Sequence, residues 1–305
     1  MSANNELITE QGSWVDFKWW STSVQGFRTR MTNFTSLNQS LGHLQSFSLF
    51  LIFDGNGDVE CAYNAAKGYA KFLQSQNFFK SLNDTIHYDP NIMKEMIKRS
   101  VWEYDIELSK VTDDIYSGST MTGVLITPMH LFFINLGNLR TLLAQNGRLE
   151  FLTKHHVPSC EAERIRIHRA GGRIMSNYIN GRLQVTRSLG NFDMKRNSTL
   201  PHTEQIISAE PEVTMIPRKG INDDFIVISN RGINQIISNR ELMNLIAHGF
   251  TLGKSIKQLT EEIIEHCLDK GSRENLSLII IKFQNSQSTL ENAIISQNNS
   301  NRIQK

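Results

Sequence analysis

Short apolar runs of strand length recur along the chain, separated by polar turns and by a few longer stretches of helical periodicity. SFSLFLIF at 46–53 predicts a buried strand, followed by a turn at Asp54-Gly55-Asn56-Gly57 and a helix from about Val59 to Phe79. Between Pro90 and Leu108, Ile92, Met96 and Val101 fall near helical spacing, and the fixed φ of proline suits a first turn. GVLIT (123–127), HLFFIN (130–135) and RTLLAQ (140–145) predict three successive strands. Asn146-Gly147 ahead of RLEFLT predicts a type I′ hairpin, because both residues tolerate the positive φ that such a turn requires.

A helix is expected over Glu161–Ala170, stopped at Gly171-Gly172, then a hairpin through Asn180-Gly181 and strands at 205–208, 212–216 and 224–229. Two late helices follow, one from Asn239 to His248 and one opened by Ser255 with Gln258 three residues on, which is capping-box spacing. LSLIIIKF is the last strand. Strands in two groups with helices before, between and after them predict an α+β layered domain. Residues 22–283 are expected to form it, with 1–21 as an amino-terminal extension. From 284 to 305, 13 of 22 residues are Asn, Gln or Ser, a composition that cannot bury a core and is expected as a flexible tail.

Of 305 residues, 39% are hydrophobic and 20% charged, which excludes a wholly disordered chain. A net charge of +2 gives no basis for nucleic acid or an anionic membrane as the main partner. Cys61, Cys160 and Cys267 form no CxxC pair, so neither a disulfide framework nor a structural zinc is expected. No apolar run reaches the roughly 18 residues of a membrane span, and no secretory signal is read at the start. The expectation is a monomer of the cytoplasm or nucleus.

Residue chemistry narrows this further. Asp54-Gly55-Asn56-Gly57-Asp58 sets oxygen-bearing side chains at alternate positions after a strand, as a hard cation would need, but the calcium-hand template fails at Val59 and Ala65. A turn with Asp58 capping the next helix is the plainer reading. His155-His156 with Cys160 has no fourth ligand at useful spacing and reads as ordinary loop residues. Ser117-Gly118-Ser119-Thr120 lacks the Gly-x-Ser-x-Gly frame and a base, and reads as small residues entering a strand.

Taken together, QGFR (25–28), FDGNGD (53–58), SGSTMTGVLI (117–126), NLGNLR (135–140), AGG (170–172), NGRLQVTRSLGNFD (180–193), EPEV (210–213) and KGSRENLSLIIIKF (270–283) resemble the metal-dependent type 2C protein serine/threonine phosphatases, in the family's order. The resemblance implies a four-layer αββα fold, a central β-sandwich of two mainly antiparallel sheets flanked by helices. It implies two Mn²⁺ or Mg²⁺ ions held by aspartates and a glycine carbonyl, with a bridging water that attacks phosphoserine or phosphothreonine.

By that resemblance Asp54 and Gly55 match the bridging aspartate and the glycine carbonyl, Glu274 replaces an aspartate ligand, and Arg28 matches the arginine that grips substrate phosphate. Asn56 stands where the family has a histidine general acid, and an amide gives up no proton at useful pH. Thr32 and Asn33 replace an acidic pair, and Asn138, Asn191 and Gln235 each replace an aspartate. Arg231 replaces another. Five acids made neutral and one made Arg leave these positions seven charges more positive than the family pattern. Two divalent cations a few Å apart repel strongly unless carboxylates neutralise them. The expectation is therefore a pseudophosphatase with no intact catalytic set and no cofactor, or at most a residual Mg²⁺ or Mn²⁺ at Asp54, Gly55 and Glu274. It would bind a phosphoserine or phosphothreonine protein through Arg28, or a partner of an active relative. The alternative is a weakly active enzyme using Asp54 and Glu274. Arg231 is expected to fork between carboxylates, Asp54 and Glu274 being the candidates.

Overall fold

Val, Ile, Leu and Phe dominate most of the runs that become strands, and the caps at Asp89 and Ser255 and the turn at Asn146-Gly147 form where their residues allow them. The computed structural model describes residues 4–82 and 87–284. The described chain divides into two compact units.

The first unit comprises residues up to 31, 140–153 and from 218 onward. It holds a six-stranded, wholly antiparallel sheet in the order β1 (Asn4–Ser13), β2 (Phe17–Gly26), β14 (Leu276–Phe283), β13 (Asp223–Ser229), β7 (Arg140–Gln145), β8 (Arg148–Leu152). Val24, Leu142, Ala144, Val227, Leu278 and Ile280 form one core with helices α6 (Asn239–Thr251) and α7 (Ile256–Asp269). Leu242, Ile246 and Phe250 recur every four residues on the buried face of α6. Each such side chain removed from water stabilises the fold by roughly 1.5–3 kcal/mol. Ser255 and Gln258 make the expected capping box at the start of α7.

The second unit comprises 32–139 and 154–217. Its sheet, also antiparallel, runs β12 (Glu212–Pro217), β6 (His130–Leu136), β5 (Gly118–Ile126), β4 (Ser48–Asn56), β3 (Asn33–Asn38), with the short β11 (Leu189–Gly190) on β5. Leu49, Leu51 and Phe53 of β4 share a core with α1 (Glu60–Ser75) and α3 (Pro90–Leu108), while the intervening Phe50 and Ile52 are equally buried. Both faces of β4 are therefore covered, which is why its sequence is a continuous apolar run rather than an alternating one. Helix α3 begins at Pro90 as expected, with Asp89 accepting from the backbone N–H of Asn91 and Ile92.

Four expectations change. Residues 4–21 are not an appendage: they form β1 and half of β2, which pairs along its length with β14. The hairpin after α4 (Glu161–Arg169) turns at Ser176-Asn177, between β9 (Ile174–Met175) and β10 (Tyr178–Ile179). Asn180-Gly181, at φ +48° and +71°, makes the next turn instead, closed by the Ile179–Leu183 bridge. Segment 205–208 is no strand: Gln205 Nε2 donates to the carbonyls of Asn197 and Leu200, binding the segment to a loop, and the one bridge there joins Ser208 to Arg187. Asp58 does not stand at the N-cap of α1: its carboxylate accepts from the N–H of Val59, which holds that position and caps nothing with its side chain. Of the tail expected at 284–305, all but Gln284 lies outside the described residues.

Candidate functional site

The residues singled out by sequence fall into two groups, one within each unit. In the second unit, the end of β4 carries Asp54, Gly55 and Asn56, held between β3 and β5 by the register Asn33–Asp54, Asp54–Thr120, Gly55–Ser119 and Asn56–Gly118. Gly55 N–H donates to the carbonyl of Thr32 at 3.0 Å, and a Cβ at Gly55 would lie 3.0 Å from that oxygen and 3.2 Å from Ala62 Cβ. The close approach of the two backbones leaves little room for a side chain here. Asn33 is buried beside the turn.

Asn191 is fully buried, with φ +50°, a left-handed conformation that asparagine tolerates better than most residues. Its Nδ2 donates to Asn56 Oδ1 and to the carbonyl of Tyr116, both at 2.9 Å, and its Oδ1 accepts from Ser188 Oγ at 2.8 Å. Two positions where the family pattern has a histidine and an aspartate are thus joined to each other by an amide–amide hydrogen bond. An aspartate at 191 would have no donor for either acceptor. Gly118 makes room for this arrangement: a Cβ there would fall 2.0 Å from Asn191 Oδ1. The loop carrying Asn191 is pinned from below by a buried ion pair, Lys195 Nζ to Asp105 Oδ2 at 2.6 Å, with the other Asp105 oxygen accepting from Gly190 N–H at 2.7 Å. Asn138 lies half-buried in the bend between β6 and β7.

In the first unit, Arg28 follows β2 and Glu274 precedes β14. Arg28 Nε donates to Glu274 Oε2 at 2.9 Å, and Nη2 reaches the same oxygen. Glu274 is placed by its neighbour: Asn275 Nδ2 donates to the carbonyls of Gln25 and Arg30 at 2.7 and 3.1 Å, tying the two loops together. Arg231 opens the short helix α5 (Arg231–Asn234) after β13. Gln235, with its amide oxygen turned toward Arg231, accepts from Nε at 2.7 Å and Nη2 at 2.9 Å. The expected fork of Arg231 onto Glu274 is therefore not formed; Arg28 takes that carboxylate, and Arg231 is paired one helical turn away with Gln235, another replaced position. Gly232 must be glycine, since a Cβ would meet the Asn275 carbonyl at 2.4 Å.

The Protein phosphatase 2C family model matches residues 18–276. This chain belongs to the protein phosphatase 2C family. Human Protein phosphatase 1A is 32% identical over 296 residues, covering 95% of this chain and 76% of its own length. Mouse Protein phosphatase 1B is 30% identical over 283 residues, covering 90% and 72%. Among solved structures, the serine-threonine phosphatase 2C from Toxoplasma gondii matches with a TM-score of 0.78 at 19% identity, over 92% of this chain and 100% of that one. A sex determining protein of C. elegans matches with a TM-score of 0.74 at 22% identity, over 92% and 68%. The structural likenesses establish the α+β fold, with antiparallel sheets flanked by helices.

A protein phosphatase 2C would use Mn²⁺ or Mg²⁺, and the residues here can be tested against that need. Among the described residues, no three His, Cys, Asp or Glu side chains are grouped so as to hold a metal ion. The Asn191 amide directs its two donors to protein oxygens and its Oδ1 accepts from Ser188 Oγ, so a neutral oxygen already bonded to protein stands at this position in place of a carboxylate. Of the positions matched to that need, Asp54 and Glu274 keep a carboxylate. His156 is buried and structural: its Nδ1 accepts from Gly137 N–H at 3.1 Å, and burial holds its pKa below the ordinary histidine value. Cys160 is exposed at the start of α4. Ser117 bridges the Asp58 carbonyl and the Cys61 N–H, each at 3.2 Å, a packing role in keeping with small residues entering β5. The ion pair Lys195–Asp105 and the Asn275 clamp, which position both groups, were not singled out by sequence; no spacing rule marks contacts between residues so far apart in the chain. Among the described residues, no helix is long and apolar enough to cross a membrane.

Proposed function

We propose that this chain is a pseudophosphatase, a protein phosphatase 2C domain whose dinuclear metal chemistry is lost and which acts by binding a phosphorylated protein. The observation that carries the reading is the buried Asn191–Asn56 hydrogen bond. Replacement of single acids by drift predicts isolated neutral side chains. Here two replaced positions bond each other, Asn191 Nδ2 to Asn56 Oδ1, although Asn56 Nδ2 is buried without a partner among the described residues; Arg231 and Gln235 pair likewise in the other unit. A buried polar group is stable only with its partners made, and the Asn191 amide, with both donors and its oxygen bonded to protein, supports a site held by protein hydrogen bonds rather than by ions. With Asn56 in place of a histidine, no proton donor for a leaving alkoxide is supplied at that position.

Binding capacity is retained in Arg28. Its side chain is more than half exposed, at 55%, and its bond to Glu274 is an exposed ion pair worth about 0–1 kcal/mol. A phosphate dianion, with more charge and three acceptor oxygens, is a stronger partner for that fork than one carboxylate. The test has two arms. Phosphopeptide hydrolysis is measured with excess Mn²⁺ beside an Asp54→Ala control, and phosphopeptide binding is measured with and without Arg28→Ala. The proposal expects no metal-dependent turnover above the control and binding lost in Arg28→Ala. Turnover abolished by Asp54→Ala would instead identify a weak enzyme. Partner binding indifferent to both phosphate and Arg28 would identify a decoy that competes through surface shape.

A further inference from the structure

Within the first unit, and with no residue of the replaced metal positions, a cavity of about 820 Å³ opens between the sheet and helix α7. Lys18, Lys254, Lys257 and Lys282 line it, with Trp20 and Phe250 among its walls, and no carboxylate lines it. Lys18 and Lys282 are direct cross-strand partners in the β2–β14 ladder. Like charges at opposed positions of neighbouring strands destabilise a sheet. Among the described residues neither of these two has a carboxylate partner, whereas Lys254 is held by Glu262 at 2.7 Å. The Lys282 ammonium lies 4.1 Å from the centre of the Phe250 ring, and Lys257 lies 5.7 Å from that of Trp20. These ring contacts stiffen both lysines; Lys257 also lies 3.9 Å from a Glu261 carboxylate oxygen, whereas the ring leaves the charge of Lys282 unneutralised. Burial, and then the charge of Lys18, hold the Lys282 pKa below the ordinary lysine value. Two opposed cations kept side by side in a recess are an arrangement that an anion relieves.

We propose that this cavity is a binding site for a small molecule carrying two or more phosphate groups. The size suits such a ligand, since pockets that enclose small molecules run from about 300 to 1,000 Å³, while one phosphate would leave most of the space open. The charge suits it too: several ammonium groups are spread over the walls, so charges must be spread over the ligand.

The experiment uses the full chain and two probes, tripolyphosphate and inositol hexakisphosphate, followed by calorimetry and by thermal melting. Saturable binding is expected, weakening as salt is raised. Lys282→Gln and Lys257→Gln are each expected to weaken it by about tenfold or more. Lys18→Gln separates ligand binding from fold damage, because it removes the opposed charge. It is expected to raise the melting temperature of the unliganded protein and to cut the further rise that the probes produce. Equal affinity in Lys18→Gln and the natural sequence would overturn the proposal. So would no saturable binding of either probe, or binding of a doubly phosphorylated peptide in their place. The titrations are repeated in the Arg28→Ala background, where probe binding that persists and is still weakened by Lys282→Gln belongs to this cavity, so failure of this site and failure of phosphoprotein binding through Arg28 are read separately.

Discussion

Restoring the family's acid at position 191 should harm this protein. In Asn191→Asp, the two N–H donors that serve Asn56 Oδ1 and the Tyr116 carbonyl at 2.9 Å are replaced by a carboxylate oxygen facing both acceptors in a fully buried position. Each lost hydrogen bond costs roughly 0.5–1.5 kcal/mol. The unpaired buried charge brings the total to about 3–5 kcal/mol at pH 7. Backbone strain contributes little, because aspartate and asparagine both adopt the φ of +50° found there. Burial raises the introduced acid's folded pKa above its unfolded value, so the penalty is small below about pH 4, where the group is neutral in both states. It grows as pH rises toward and through the folded pKa. Urea denaturation at pH 7 and at pH 4 measures this directly. A double-mutant cycle with Asn56→Ala isolates the shared bond, with an expected coupling of about 1 kcal/mol. A cost under about 1 kcal/mol at pH 7, or a cost abolished by millimolar Mn²⁺, would refute the claim that the amide network replaces a metal site.

Two further tests address the groups that hold the site in place. Lys195 and Asp105 are 4% and 2% exposed, so Lys195→Met, which leaves the carboxylate buried without its partner, is expected to destabilise by about 3–5 kcal/mol in urea unfolding. For Glu163, burial alone would raise the pKa, but the hydrogen bond and charge of Arg187, with the charge of Arg166, outweigh it and hold it at about 2. A folded pKa below the ordinary 4.5 means stability that is present above that value and is lost as pH falls toward about 2, by up to about 3 kcal/mol. Glu163→Gln should flatten that part of the stability–pH curve, and an unchanged acid limb would count against the assignment.

Much of the fold was legible because local rules and burial agree in it. Asn146-Gly147 takes φ values of +50° and +68° as a type I′ hairpin requires, and the Ser255–Gln258 capping box forms as spaced. The strands β1 and β2 were not legible, for a physical reason. Ser21, Thr22 and Ser23 of β2 are buried hydroxyls, two of them satisfied by Thr260 and Ser277, contacts that span most of the chain. Such a strand lacks the apolar run that marks β4. Gln205 misled in the opposite sense: its neighbours Ile206 and Ile207 read as strand, yet the amide ties the segment to the 197–201 loop and Ile207 joins a small core of its own.

The site divides in the same way. Which acids were missing could be read one position at a time, since each falls inside a recognisable motif. How the replacements pair could not. Asn56 and Asn191 are 135 residues apart, and their bond depends on the left-handed turn at Asn191 and the absence of a side chain at Gly118. Arg231 was expected on a carboxylate because charge complementarity favours it; the short helix α5 instead offers Gln235 one turn away, and Arg28 already occupies Glu274.

The central claim is that the replaced positions leave no cage for two divalent cations. Calorimetric titration of the full chain with Mn²⁺ at neutral pH tests it most directly. The account predicts no pair of saturable sites and no heat that is altered by Asp54→Ala. Two stoichiometric Mn²⁺ ions bound tightly, with both lost in Asp54→Ala, would contradict it.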